Sequence, residues 1–154
     1  MKKVLILLLL LYPIVSYSQS AQKPYLSLED ALKISAAAEV KAKKENWNVV
    51  IAIMDEGGHL ISLQKMDGVQ IGSVEVAQAK AKTSVFFKRP SKAFEDMVKQ
   101  GNVHISTLPN VCAVEGGLPI FIDGVIVGAI GISGVTSAQD GIIAAAALEG
   151  FGKK

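Results

Sequence analysis

The sequence has 154 residues, half of them hydrophobic, with 16 basic and 14 acidic side chains. Lys2 and Lys3 belong to the amino-terminal segment treated next, and without them the chain carries 14 charges of each sign. A balanced chain lacks the basic excess that nucleic-acid binding needs, so we expect no nucleic-acid partner. Cys112 is the only cysteine, which excludes a disulfide within the chain.

Residues 1–18 have the pattern of a secretory signal peptide. Two lysines precede an apolar run, Pro13 interrupts it, and Ser16-Tyr17-Ser18 follows. The run falls short of the roughly 20 residues that cross a bilayer. We therefore expect cleavage near Gln19, export to the periplasm or the extracellular space without a stable membrane anchor, and one mature domain of residues 19–154.

The apolar periodicity predicts a helix, two strands, two helices, further strands and a final helix. The predicted helices cover residues 28–45, 71–85, 91–101 and 137–148. The predicted strands cover residues 48–54, 59–66, 111–114, 118–122 and 125–133, and residues 102–110 are predicted to be a loop. Because the strands come as hairpins, we expect an antiparallel sheet with helices on its faces, an α/β (α+β) fold.

The pattern assigns helix-capping and other local structural roles to several polar residues. Ser27 and Ser91 are predicted helix caps, and Asp140 places negative charge in the first turn of the last helix. One face of the second predicted helix carries the apolar residues Val74, Ala77, Ala81 and Val85. Lys80 and Lys82 lie away from that stripe.

Residues 115–134 hold an unusually dense set of turn and strand signals. Asp123-Gly124 favours a tight type I′ hairpin turn. Gly128 and Gly131 interrupt the apolar strand that returns, and glycines in a strand let another backbone or a ligand come close. The segment therefore predicts a hairpin whose second strand can be approached closely by another backbone or by a ligand.

The residues of several segments, taken together, resemble a known family. The matching segments are Met54-Asp55-Glu56-Gly57-Gly58-His59-Leu60, residues 65–68, residues 79–83, residues 115–134 and Gln139-Asp140. In this order and spacing they resemble the GlcG/HbpS-like family, often labelled a haem-degrading domain, which includes the C-terminal domain of PduO-type proteins. The resemblance covers residues 26–150.

This resemblance implies a profilin-like sandwich, in which helices flank a central antiparallel sheet. It also implies a homo-oligomer. Characterised relatives include an extracellular haem-binding sensor that works with a two-component system, and a haem-binding domain fused to a cobalamin adenosyltransferase. The implied cofactor is haem, and a sensor protein or an enzyme is the implied partner. Fold and function separate easily, so the site residues need their own argument.

His59 is the first candidate for a haem or metal ligand. It is one of two histidines and follows a Gly-Gly turn at the start of a predicted strand. Imidazole binds haem iron and also titrates near neutral pH, so His59 suits an axial ligand or a general acid/base. The alternative is a solvated histidine at the end of a strand.

His104 and Cys112 are the next candidates, eight residues apart around the predicted loop. A His/Cys pair can ligate haem iron or a soft metal if the loop folds over the sheet. A surface position for His104 and a buried, unreactive thiol for Cys112 are the structural alternatives.

Lys82 and Arg89 are candidates for binding carboxylates, such as haem propionates or a small organic acid. A guanidinium pairs with a carboxylate through two hydrogen bonds, and Arg89 is the sole arginine. A surface ion pair is the alternative for Arg89. The spacing of hydroxyls, histidines and carboxylates defines no catalytic triad, so the catalytic residues stay unassigned.

Three functions are compatible with these residues. The first is an exported haem- or tetrapyrrole-binding protein that stores, senses or degrades its ligand. The second is an enzyme or accessory protein for a small hydroxy- or oxo-acid. The third is an oligomeric module that binds a partner protein without catalysis.

Overall fold

The computed structural model describes residues 23–151, so the predicted signal peptide lies outside the described residues. The helices are α1 (Leu28–Lys44), α2 (Ser73–Phe86), α3 (Lys92–Lys99) and α4 (Ser137–Leu148). The strands are β1 (Val50–Asp55), β2 (Leu60–Lys65), β3 (Gly117–Ile122) and β4 (Val125–Ser133). They form one antiparallel sheet in the order β2-β1-β4-β3, which confirms the predicted α+β class.

Side-chain caps begin the first and last helices. The hydroxyl of Ser27 accepts a hydrogen bond from the backbone N–H of Asp30, as the sequence predicts. Thr136 and Gln139 form a reciprocal capping box at the start of α4. Among residues 23–151, no helix is long and apolar enough to cross a membrane.

Helices cover both faces of the sheet. Ile51 and Ile53 point to one face, where α1 and α4 complete the larger apolar cluster. The alternate residues of β1 point to the other face, where α2 contributes Ala77 and Ala81. Because β1 is central and covered on both sides, its pattern is a nearly continuous apolar run.

The glycine-rich hairpin has the predicted geometry. Asp123 and Gly124 have φ values of 49° and 76°, as a type I′ turn requires. A Cβ atom at Gly131 would lie 2.0 Å from the carbonyl oxygen of Ala77 on α2, and one at Gly128 would lie 2.2 Å from the carbonyl oxygen of Met54. The glycines of β4 therefore let α2 and β1 approach its backbone closely.

The predicted strand at residues 111–114 is wrong, because its backbone groups bond to neighbouring segments instead of a strand. The N–H of Cys112 donates to Oγ1 of Thr83, and the carbonyl of Val114 accepts from the hydroxyl of Ser91. Ser91 therefore does not cap α3 with its side chain, and its oxygen also accepts from the N–H of Gly117. Part of the predicted loop, Val103–Thr107, forms a short 3₁₀ helix.

Candidate functional site

His59 lies at the end of the β1–β2 turn and is held by Asp55. One carboxylate oxygen of Asp55 accepts from the backbone N–H groups of Gly57 and His59, at 2.9 and 2.8 Å. The other lies 3.1 Å from Nδ1 of the imidazole. Burial by itself would raise the pKa of Asp55, but the N–H groups of His59 and Gly57 outweigh it and hold that pKa below the usual value.

The rest of the imidazole faces solvent. The His59 side chain is 81% exposed. No group in residues 23–151 forms a hydrogen bond with its Nε2 atom. A carboxylate that holds Nδ1–H fixes the ring and makes the opposite nitrogen a better metal ligand. Nε2 is therefore the ring nitrogen of His59 that remains available to a ligand.

An aromatic and cationic surface adjoins this turn. The ring of Phe86 lies directly against Gly58, where a Cβ atom would be 2.4 Å from the ring edge. The ammonium of Lys82 lies 5.6 Å from the centre of the same ring. Leu60 pairs with Met54, whose side chain packs with α2, so Leu60 faces the same side of the sheet. Both Leu60 and Phe86 are exposed, at 48% and 42%.

A cavity of about 480 Å³ lies between this turn and the tip of the β3–β4 hairpin. Its lining residues are Lys23, Glu56, Val85, Lys88, Phe121, Gly124, Val125 and Ile126. Lys23 pairs with Glu56 at 3.5 Å, whereas Lys88 has no carboxylate partner within residues 23–151. The cavity therefore combines apolar walls with a free cation, and it borders the turn through Glu56.

These residues fit haem better than they fit a bare metal ion. Within the described part of the chain, no three His, Cys, Asp or Glu side chains come together to hold an ion. A porphyrin brings its own four nitrogens and needs from the protein one or two axial ligands, an apolar contact surface and cations for its propionates. The turn that carries His59 lies against the ring of Phe86, and Lys82 lies over the same ring.

His104 and Cys112 lie elsewhere. His104 is exposed on the 3₁₀ helix that packs against α3. Cys112 is partly buried beside α2, and burial raises the pKa of its thiol against the opposing effect of the Lys80 charge. Neither residue lines the cavity beside the β1–β2 turn.

Arg89 is placed apart from the His59 turn. Its Nε donates to the carbonyl of Phe87, and its guanidinium lies 5.6 Å from the ring centre of Phe94. Arg89 is therefore bonded within its own loop and stacked on α3, while Lys82 is the predicted cation that lies over Phe86, next to the His59 turn.

Sequence reasoning missed the buried ion pair between Lys80 and Asp140. Their charged atoms are 2.7 Å apart, and the two side chains are only 1% and 2% exposed. Lys80 also donates to the carbonyl of Ile132, and Asp140 accepts from the N–H of Val135. Lys80 is buried although it lies off the predicted apolar stripe, because the segment before β3 and the start of α4 cover that part of α2. Lys80 and Asp140 each lie in a segment that matches the family, and that match was the sequence signal that could have identified them.

Comparisons with known proteins assign the chain to one family. The family model described as "Haem degrading protein HbpS-like" matches residues 26–149. Protein GlcG of Escherichia coli (strain K12) is 42% identical over 111 residues, which cover 72% of this chain and 83% of GlcG.

Two solved structures share the fold. The crystal structure of HbpS matches with a TM-score of 0.79 and 28% identity, over 88% of this chain and 96% of that one. The crystal structure of the PduOC–haem complex matches with a TM-score of 0.75 and 29% identity, over 82% of this chain and 94% of that one.

Proposed function

We propose that this chain, which belongs to the HbpS-like family of haem degrading proteins, binds haem or a related tetrapyrrole at the β1–β2 turn. The observation that carries the proposal is the exposed imidazole of His59, held at Nδ1 by Asp55 with Nε2 unpaired among residues 23–151. The similarity to the structure of a PduOC–haem complex supports it. Bound haem would supply one-electron and oxygen chemistry.

Each neighbouring residue has a role in this proposal. His59 would hold the haem iron, and Asp55 fixes its ring. Phe86 and Leu60 offer an exposed apolar surface to the macrocycle. Lys82, beside Phe86, is placed to pair with a propionate, and ion pairs of this kind orient a ligand more than they add affinity.

Haemin titration of the purified protein tests the proposal. We expect a saturable shift of the Soret band that is lost or much weakened in His59→Ala. The matched control is His104→Ala, which removes the other histidine, exposed on the 3₁₀ helix. No saturable shift in the unchanged protein, or an equal loss in both variants, would contradict the assignment.

We further propose that the protein is exported and that it stores, senses or degrades its haem outside the cytoplasm. The signal-peptide pattern of residues 1–18 supports export. Cell fractionation and amino-terminal sequencing test it, and a cytoplasmic protein that still begins at Met1 would contradict it. Degradation requires O₂ and an electron donor, so loss of the Soret band only when both are supplied distinguishes it from storage or sensing.

Self-association is the last part of the proposed function. Leu28, Leu32 and Val40 form an exposed apolar stripe on α1, and Ile142 is exposed on α4, which packs against α1. Apolar surface of this kind favours contact with a second copy. Light scattering coupled to size-exclusion chromatography should show an oligomer, and Leu32→Lys should shift it toward the monomer. A monomer at all concentrations would exclude this role for the stripe.

A further inference from the structure

The cavity between the β1–β2 turn and the tip of the β3–β4 hairpin has no role in the proposed haem site. Its volume is about 480 Å³. Small-molecule sites usually measure roughly 300–1,000 Å³, so the cavity has the size of such a site. Its lining residues differ from those that hold the haem in our proposal. A ligand of this cavity therefore need not be haem.

One wall of the cavity is apolar and partly uncovered. Phe121 pairs with Ile126 across the β3–β4 hairpin. Ile126 packs against the cluster that contains Val85 of α2, so Phe121 lies on the α2 face of the sheet as well. The side chain of Phe121 is nevertheless 45% exposed. The cavity thus presents apolar surface that a ligand would remove from water.

The charged residues of the cavity leave one positive charge without a partner. Lys23 and Glu56 pair with each other at 3.5 Å. Lys88 lines the same cavity and forms no ion pair within residues 23–151. An uncompensated cation beside an apolar wall favours a ligand that carries a negative charge.

The backbone of Lys88 has a conformation that suits glycine better than lysine. Its φ is 53°, in the left-handed region. The other non-glycine residues with positive φ among residues 23–151 are asparagine or aspartate, which tolerate this region. Lys88 follows the end of α2, where the N–H of Arg89 donates to the carbonyl of Ser84, and glycine is the usual residue at such a helix end. A costly conformation at a residue that lines a cavity points to a function for its side chain.

We propose that this cavity binds an apolar monocarboxylate, which is a carboxylate group on a hydrocarbon body. The carboxylate pairs with the ammonium of Lys88, and the hydrocarbon packs against Phe121 and Ile126. Acetate lacks the apolar body and a neutral amide lacks the charge, so both should bind more weakly. Two sources can supply this chemistry. One is a free aliphatic or aromatic acid, and the other is a propionate with the adjoining edge of a tetrapyrrole, which rests on the proposed function.

Isothermal titration calorimetry with butyrate, hexanoate and octanoate tests the free acid as the source. Affinity should rise with chain length, by up to roughly fourfold for each methylene group buried. Hexanamide has the length of hexanoate without its charge and should bind roughly three- to tenfold more weakly. Acetate should show no saturable binding.

Haemin and its dimethyl ester test the tetrapyrrole as the source. If a propionate occupies the cavity, the ester should bind roughly three- to tenfold more weakly than haemin, and Lys88→Gln should weaken haemin by the same factor. Octanoate should then compete with haemin. Saturable binding of octanoate together with equal affinities for haemin and its ester would assign the cavity to a free acid.

Variants place the carboxylate at Lys88. Lys88→Gln and Lys88→Gly should each weaken octanoate roughly three- to tenfold, and Lys88→Gly keeps the fold because glycine adopts the same φ freely. Phe121→Ala should also weaken octanoate. The matched control is Lys65→Gln, at an exposed lysine that also lacks an ion pair within the described residues and lies at the far end of β2. If no carboxylate binds in a way that depends on Lys88, the proposal is overturned, whether or not haemin binds at His59.

Discussion

The ammonium of Lys80 on α2 lies 2.7 Å from a carboxylate oxygen of Asp140 on α4, so a buried ion pair joins helices on opposite faces of the sheet. The lysine reaches Asp140 beside Gly116, where a Cβ atom would be 2.9 Å from Nζ and 2.8 Å from Cβ of Asp140. Because residue 116 is a glycine, there is room at this point for the side chains of Lys80 and Asp140 to meet.

Breaking this pair from one side should be far more damaging than replacing both partners. Lys80→Met or Asp140→Leu leaves one buried charge alone, and each should lower the free energy of unfolding by about 3–5 kcal/mol. The double variant removes both charges, so its loss should be well below the sum of the two. Urea unfolding of all four proteins measures the coupling, and strictly additive losses would show that the pair does not act as a unit.

Glu95 should make the free energy of unfolding depend on pH in the acid range. Burial opposes ionisation, but hydrogen bonds from Lys99, Glu115 N–H and Ser137 outweigh it and hold the pKa of Glu95 below its usual 4.5. A lowered pKa adds stability that is complete above pH 4.5 and is lost as the pH falls through the lower pKa of the folded state.

The variant Glu95→Gln should therefore lose less stability than the unchanged protein as the pH falls. The melting temperature, measured at several pH values in the acid range, gives this slope. Glu75→Gln, at an exposed glutamate of α2, is the control and should keep the slope of the unchanged protein. Parallel curves for Glu95→Gln and the unchanged protein would refute the role of Glu95.

Gly131→Ala should disrupt the packing of α2 on the sheet. The new methyl group would lie 2.0 Å from a backbone oxygen of α2, which no side-chain rotation can relieve. We expect a loss of about 3 kcal/mol or more, at the upper end of overpacking effects. Gly72→Ala is the control, because its Cβ atom meets nothing within 4 Å. Chemical denaturation compares them, and equal stabilities would contradict the close approach.

Asp55→Asn should weaken haem binding without unfolding the turn. The amide oxygen can still accept from the backbone N–H groups, but the NH₂ group cannot accept from Nδ1–H of His59. Loss of such a partner typically lowers metal affinity by about 10- to 100-fold. Asp123→Asn, in the other hairpin turn, should bind haem normally. Haemin titration measures both, and equal affinities would mean that Asp55 does not position the ring.

Local pattern was sufficient for most of the fold. The helix that begins after Ser27 and the Asp123-Gly124 turn depend on side chains and φ values within a few residues, and both are confirmed. The predicted strand at residues 111–114 is wrong because its hydrogen-bond partners, Thr83 and Ser91, lie about 20 to 30 positions away. Such partners leave no periodic signal in the segment itself.

For the candidate site, too, the sequence indicated individual residues and the structure showed which of them lie together. The Gly-Gly-His motif of the β1–β2 turn drew attention to His59, and residues 79–83 drew attention to Lys82. Only the folded chain shows that Phe86 lies against both Gly58 of that turn and Lys82. The sequence also allowed His104 and Cys112 to share a pocket with each other. The structure places His104 on an exposed 3₁₀ helix and Cys112 against α2.

The sequence by itself determined the kinds of elements, the hairpins and the family resemblance, because periodicity and turn residues act over short distances. Only the tertiary structure decided that Lys80 is buried. On its helix this lysine lies off the apolar stripe, and its partner Asp140 is 60 residues away. A charged side chain becomes stable inside a protein when distant segments bring it an opposite charge and exclude water, and neither condition is written in the local pattern.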